Sequence, residues 1–540
     1  MKGQVEFIVL FGDDVDKVKK SVDNLGGTFE NLGFGYGIIY FPVDKLDNIA
    51  KVEGVDYVEL PKILFTSYAV SNRNSCVDEV WDLYRLTGEG VLVGFIDSGI
   101  DYLHPAFMDE NGVTRIEYIY DLSQGGNIWN KAQIQQAINS KNPYEVVNER
   151  DDNGHGTHVA SIACGGGNIS KIYYGPAYKS SIAMVKITPK GVINFGTSTL
   201  IMKGIKFLID KSKELNKPLV INLSFSTNDG AHNGSSLFEQ YINTVASLEP
   251  ITFVVAAGNE GDRAHHVAGI LEKEQTISLN IAPDEAAIGI QLYKGLLSEI
   301  TIEVINPSGQ STGILEVKQG ITSKFLRNDR VILYYSGPKP FDIDGEVILN
   351  LIAPENQFLL SGVWKIRVGL NNEDPSRYNM WLPIAEGLNE KTKFLNPDIF
   401  NTLGIPATVE NVISVGSYNP FTGNISSFSG RGDRENSVVK PDVVAPGENI
   451  EAAIPKGRYD SKTGTSMATP QVAGICALLM EWGMVKNNDS ILYGERLKYY
   501  LLQGARRDRS DVTYPDPTWG YGEICASRAL EYIILNKAGG

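Results

Sequence analysis

The feature that most constrains this chain is a set of short, unbroken apolar runs across residues 77–260. "GVLVGFID" (90–97), "IAMVKI" (182–187), "PLVINLSF" (218–225) and "ITFVVAAG" (251–258) lack the polar alternation of a strand with one face in water. Such runs suit strands covered on both faces. Helical stretches such as "STLIMKGIKFLIDKSKEL" (198–215) lie between them. Strand and helix in alternation predict an α/β fold, a parallel sheet wound with helices.

Two other textures interrupt this one. Residues 1–68 read as a small module. Strands are expected at "VEFIVLF" (5–11), "FGYGIIYFPV" (34–43) and "VDYVELP" (55–61), and helices at "DDVDKVKKSVDNLGG" (13–27) and "DKLDNIAKV" (44–52). That order fits a ferredoxin-like unit. The segment that follows, "KILFTSYAVSNRNSC" (62–76), shows no periodicity. From about 265 to 387 the chain turns to short alternating strands between Gly, Pro and Asn turns: "QTISLNIA", "IGIQLYKG", "EITIEVINPSG", "TGILEVKQG", "DRVILYYSG", "GEVILNLIAP" and "GVWKIRVGL". Their spacing predicts an all-β sandwich, jelly-roll-like in kind. "NVISVGSY" (411–418) and the helical "QVAGICALLMEWG" (471–483) restore the first texture. The β block is therefore an insertion, and the expected domains are 1–68, 69–264, 265–387 and 388–540.

Composition excludes several functions. A net charge of −15 over 540 residues repels phosphate backbones, so nucleic acid is not an expected partner. No stretch approaches the ~20 apolar residues of a membrane span. The opening "MKGQVEFIVLFGDDVDKVKK" lacks the apolar length and cleavage site of a secretory signal. Retention in a cell, or export by another route, is expected. Four cysteines without CxxC spacing predict reduced, buried thiols.

Polar residues at the ends of buried elements carry the candidate chemistry. Asp97 closes the run "VLVGFID", where a parallel sheet presents its functional groups; a carboxylate there can orient an imidazole or simply cap a loop. His155 stands between glycines in "DDNGHGTHVASIACGGG" as a helical pattern starts, and small neighbours let its ring approach other backbone. His158, one turn on, is expected to pack. Asn259 ends "FVVAAGN", where its amide can donate to a developing oxyanion or form a turn. Ser466 lies in "TGTSMATPQVAG" (463–474), an awkward helix start crowded with small residues. At a helix N-terminus its own N–H and the helix dipole point at an anion beside its hydroxyl. Gly464 and Ala468 leave space for a substrate, and Pro470 is expected within the first turns, where a missing N–H costs little.

Acid, base, amide donor and nucleophile follow in the order Asp, His, Asn, Ser. The sequence resembles the subtilase family in "VGFIDSGIDYLHPAF", "NGHGTHVASIACG", "VINLSF", "AAGNEG", "PDVVAPGENI" and "GTSMATPQVAGICALL". The resemblance covers roughly 77–260 and 388–530. It implies a serine endopeptidase in which Asp97 orients His155, His155 is general base and then acid, and Ser466 attacks the scissile carbonyl. Asn259 and the Ser466 N–H would form the oxyanion hole. Ser224, Phe225 and Ser226 would pair with an extended substrate and edge its first specificity pocket, with Gly258 opposite. The family more often has glycine where Ser226 stands, so this pocket should be narrow. Residues 1–68 would be a propeptide that caps the cleft, with self-cleavage expected between Tyr68 and Ala69.

Within the family, a propeptide with no signal before it, reduced cysteines and a β-sandwich inserted after the Asn resemble the Csp germination proteases of clostridial spores. That implies limited proteolysis of a cortex-lytic zymogen, and packaging in the spore after synthesis in the cytoplasm. Two other readings stand beside it. One is a less selective subtilase acting on peptides or host proteins. The other is a sensor or scaffold silenced by its own propeptide. The acids of "NERDDNG" (148–154) are read as a solvated loop positioning His155, so no metal is required; calcium as a stabiliser is compatible with the family.

Overall fold

The structure, a computed structural model, describes residues 4–12, 14–59, 67–189, 196–339, 344–372, 374–435 and 438–538. It divides into two compact units, Met1–Thr66 and Ser67–Gly540.

In the first unit four strands lie in the order Thr28–Gly33, Tyr36–Pro42, Gln4–Phe11, Val55–Glu59, antiparallel between neighbours. The helix Val15–Asn24 follows the first strand, with the Asp14 carboxylate accepting from the Lys17 N–H at 3.0 Å. Val9, Val18, Val22, Ile39 and Phe41 form the core. This is the ferredoxin-like arrangement, with two departures. Strand Thr28–Gly33 was not foreseen, because "TFENLG" offers one large buried-facing side chain, Phe29, and no alternation. The expected second helix is a 3₁₀ helix, Val43–Lys51, broken at Lys45.

The second unit is built on an eight-stranded sheet. From edge to edge it runs Val443–Pro446, Ile413–Tyr418, Ile251–Ala256, Leu219–Leu223, Leu92–Asp97, Ser181–Lys186, Ile116–Asp121, Asn127–Asn130. Only the last strand is antiparallel to its neighbour. The four continuous apolar runs all became buried central strands. Leu92–Asp97 shows why both faces had to be apolar. Val93 and Phe95 enter a core with helices His155–Cys164 and Thr465–Met480, while Leu92 and Ile96 enter another with helix Ser198–Leu215. Ser181–Lys186 and Leu219–Leu223, successive strands of the sheet's centre, pair on opposite sides of Leu92–Asp97, so the connection reverses there. A crevice opens at the carboxyl ends of the strands at such a point.

Residues 266–394 form two antiparallel sheets of six and five strands around one core that includes Leu279, Ile290, Leu349 and Trp364. Every apolar run nominated in this block contains a strand, although "TGILEVKQG" holds only Leu315–Glu316. Strands His266–Leu271, Gly320–Leu326, Ser376–Trp381 and Lys393–Phe394 were not foreseen.

Two expectations are corrected. Cys76 and Cys525 form a disulfide, tying the start of the second unit to the beginning of its last helix, Ala526–Ala538; only Cys164 and Cys476 are buried free thiols. Spacing missed the pair because the two residues are 449 positions apart. The segment 62–76 is also not aperiodic throughout, since Ser67–Asn74 is a helix and Tyr68 and Ala69 lie in its first turn. Among the described residues no helix is long and apolar enough to cross a membrane.

Candidate active site

Asp97 is the last residue of the central strand. Its Oδ1 accepts from the Ser98 N–H at 2.7 Å and meets His155 Nδ1 at 2.8 Å. A carboxylate can only accept here, so Nδ1 carries the proton and Nε2 is left basic. His155 opens helix His155–Cys164, and Gly156 lets that helix come so close. A Cβ on Gly156 would sit 2.2 Å from the Gly99 carbonyl oxygen. Burial alone would lower the His155 pKa, but the Asp97 charge and hydrogen bond outweigh it and raise the pKa above the usual value.

A brace fixes this pair. The Ser98 hydroxyl donates to Asp151 Oδ1 at 2.8 Å and accepts from the Gly156 N–H at 2.9 Å. Asp151 also accepts from the N–H groups of Gly154 and Thr157 and from the Thr157 hydroxyl, at 2.8, 2.9 and 2.6 Å. The acidic loop is thus only partly solvated: Asn148, Arg150 and Asp152 are exposed, but Glu149 and Asp151 are buried. Burial pushes the Glu149 carboxyl well above the carboxylate range, although Lys186 lies 3.8 Å away. Among the described residues no three or more His, Cys, Asp or Glu are grouped to hold a metal. His158 packs in the core; its Nε2 faces the Asp460 carbonyl at 3.1 Å, and burial lowers its pKa to about 3.

Ser466 is the second residue of helix Thr465–Met480, so its N–H has no partner within the helix. Pro470 is the sixth residue of that helix, within its first turns as expected but past the four residues whose N–H groups have no intrahelical partner, so its missing N–H does cost a bond. It has no N–H to give the Ser466 carbonyl four residues back. That carbonyl accepts instead from the Ser224 hydroxyl at 3.2 Å. The Ser466 hydroxyl in turn donates to the Ser224 carbonyl at 3.0 Å rather than to the His155 ring. Asn259 follows strand Ile251–Ala256. Its Oδ1 accepts from both the N–H and the hydroxyl of Thr465 at 3.0 Å, which leaves Nδ2 as the donor.

Asp97, His155, Ser224, Phe225, Ser226, Asn259 and Ser466 all line one cavity of about 1170 Å³. Gly258 does not line it but backs the wall: a Cβ there would lie 3.0 Å from the Gly404 N and 3.2 Å from Ser226 Oγ. Gly404 was not foreseen. A Cβ on it would come within 2.3 Å of Ser226 Cβ, so the Ser226 side chain fills the space between the two glycines. Nothing in the sequence signalled Gly404, which lies across the insertion from Gly258. The brace residue Ser98 and three cavity residues of the insertion, Tyr293, Lys339 and Glu346, were missed as well.

The arrangement holds a basic nitrogen, a hydroxyl and two candidate oxyanion donors around one cavity, which suits acyl transfer. Comparison with known proteins points the same way. Residues 88–287 and 384–522 match the Subtilase family, and residues 1–62 match the Csp protease B prodomain. The chain is similar to the solved CspB protease of Clostridium perfringens, at 52% identity over 86% of this chain and 98% of that one, with a TM-score of 0.83. It is also similar to the PIII-type proteinase of Lactococcus lactis subsp. cremoris (strain SK11), 23% identical over 89% of this chain and 26% of the relative. The minor extracellular protease Vpr of Bacillus subtilis (strain 168) is 24% identical over 86% of this chain and 54% of the relative. The chain thus spans about a quarter to about half the length of these two curated relatives.

Proposed function

The chain belongs to the subtilase family, and we propose that it is a serine endopeptidase whose triad is Asp97, His155 and Ser466. The observation that carries this reading is the 2.8 Å Asp97–His155 bond, which sets a basic Nε2 at the cavity that also holds Ser466 and Asn259. His155 takes the Ser466 proton as the oxygen adds to the carbonyl carbon. The oxyanion accepts from Asn259 Nδ2 and the Ser466 N–H. The imidazolium returns the proton to the leaving amine, and water then releases the acyl group by the same steps in reverse. Catalysis needs the Ser466 hydroxyl to turn from the Ser224 carbonyl toward His155. No cofactor takes part in these steps, and we assign no role to calcium.

The likeness to a CspB protease and its prodomain supports a narrower reading. The protein is a zymogen that cuts off residues 1–68 between Tyr68 and Ala69, a propeptide that caps its cleft until it leaves. It then activates a cortex-lytic pro-hydrolase of the spore by limited proteolysis, with the spore cortex or coat as its site. We read the inserted sandwich as jelly-roll-like. A cut at Tyr68 requires the first turn of helix Ser67–Asn74 to unwind, and it requires a pocket narrowed by Ser226 to admit an aromatic ring. N-terminal sequencing of the processed chain tests both at once. Expressing wild type beside Ser466→Ala tests activity: two fragments are expected from the first and one chain from the second. One uncut chain in both supports the silenced sensor.

A further inference from the structure

The insertion does more than pack beside the sheet. The cavity wall runs from Ser224, at the nucleophile, outward to Gly230, and the insertion holds its outer part. The Gly230 N–H donates to Gln291 Oε1 at 2.8 Å, Gln291 Nε2 donates to Asp229, and Asn228 Nδ2 donates to the Leu382 carbonyl at 3.0 Å. From Gln291 the polar chain continues along the insertion. The Tyr293 hydroxyl lies 3.4 Å from Gln291 Oε1 and donates to Glu346 Oε1 at 2.6 Å, and Lys339 pairs with the other Glu346 oxygen. Asp229, Tyr293, Lys339 and Glu346 line the same cavity as Ser466.

Resting on the endopeptidase reading above, we propose that this network is a substrate subsite that receives a basic side chain upstream of the cut bond. The wall flanks the pocket for the residue before that bond, and an extended peptide advances ~3.3 Å per residue. Asp229 stands three positions beyond Ser226. It lies along the wall beyond that pocket, and we assign to it the substrate position roughly three residues further upstream. The network has two carboxylates, Asp229 and Glu346, and one ammonium, Lys339, which leaves one negative charge in excess. The Glu346 side chain is 12% exposed and that of Lys339 is 43% exposed. An exposed lysine is held weakly, so an incoming Lys or Arg can take its place on the carboxylate. The Tyr293 phenol and Gln291 amide keep that carboxylate in place as the exchange occurs.

Three quenched-fluorescence peptides, identical except for Lys, Ala or Glu three residues upstream of the residue before the cut, test this on the processed full chain. The wild type should cleave the Lys peptide with kcat/KM about tenfold or more above the Glu peptide. Glu346→Gln should bring that ratio to within about threefold of unity, and Lys339→Ala should raise it. The ratio is internal to each variant, because partial misfolding scales all three peptides together. A wild type with no Lys preference, or a ratio that neither variant moves, overturns the subsite. A wild type that cleaves none of the peptides and leaves its own residues 1–68 attached overturns the endopeptidase reading instead.

Discussion

The carboxyl end of the parallel sheet and the inserted sandwich face the same cavity but contribute differently. On the proposed mechanism the sheet side supplies the reacting groups, His155 and Ser466, and their supports, Asp97 and Asn259, each next to the end of a strand or the start of a helix. The sandwich supplies none of these. It supplies a support for the wall and charged groups at its far end. If the proposals hold, reacting groups sit on the regular elements of the sheet, and groups that choose among substrates sit on an added domain that can differ while the chemistry is kept.

Variants on the two sides should therefore separate in kinetics. The largest effect is expected from Asp97→Asn, which leaves the geometry but favours the wrong imidazole tautomer and should lower kcat by about 10⁴-fold. The pH profile should show it too. The His155 pKa is raised by Asp97, so wild-type activity falls with acidity through a value above 6.5, and the variant's acid limb should move down. Asn259→Ala removes one oxyanion donor and should lower kcat about 10²–10³-fold with little change in KM. An equal loss in KM would mean that Asn259 binds the ground state and would break the contrast.

On the sandwich side, Trp381 stacks on His232 of the wall segment at 4.2 Å and on His266 at 4.7 Å. Trp381→Ala should cost about 3–5 kcal/mol of stability, read by denaturant titration, and raise KM more than it lowers kcat. Acid should weaken the same joint. His232 is buried, and burial lowers its pKa to about 4. The unfolded chain takes its proton first, near 6.5, so stability is fully present above that pH and is lost as pH falls toward 4, by on the order of 3 kcal/mol. Melting temperature followed from pH 7 to 4 checks the sign; a rise on acidification would contradict it. Cys525→Ser should cost about 2–4 kcal/mol while leaving kcat near the wild-type value, because the bond touches neither side of the cavity.

How well the sequence could be read also divides along this line. The sheet strands were legible because burial on both faces forces continuous apolar runs; Asp97 and Asn259 drew attention at the ends of such runs, and His155 and Ser466 at helix starts among small residues. The brace from Asp151 was half-legible: the acids drew attention, but only packing shows that Asp151 is buried and holds the His155 turn. The sandwich was legible as texture, yet strand Gly320–Leu326, with most of its side chains in solvent, left no apolar alternation to find. Gly404, the Cys76–Cys525 bond and the Tyr293–Glu346–Lys339 network arise from approaches between distant segments, and no local pattern encodes them. Pro470 was read as a harmless early proline. Its consequence, a carbonyl turned to Ser224, is visible only in three dimensions.

The central claim is that Asp97 and His155 make Ser466 a nucleophile. Incubating the processed protein with a fluorophosphonate and locating the adduct by peptide mass spectrometry tests it most directly. The account predicts one phosphonyl group, on Ser466, formed at least a thousandfold more slowly in His155→Ala. Labelling at another residue, or at equal rates in wild type and His155→Ala, would contradict it.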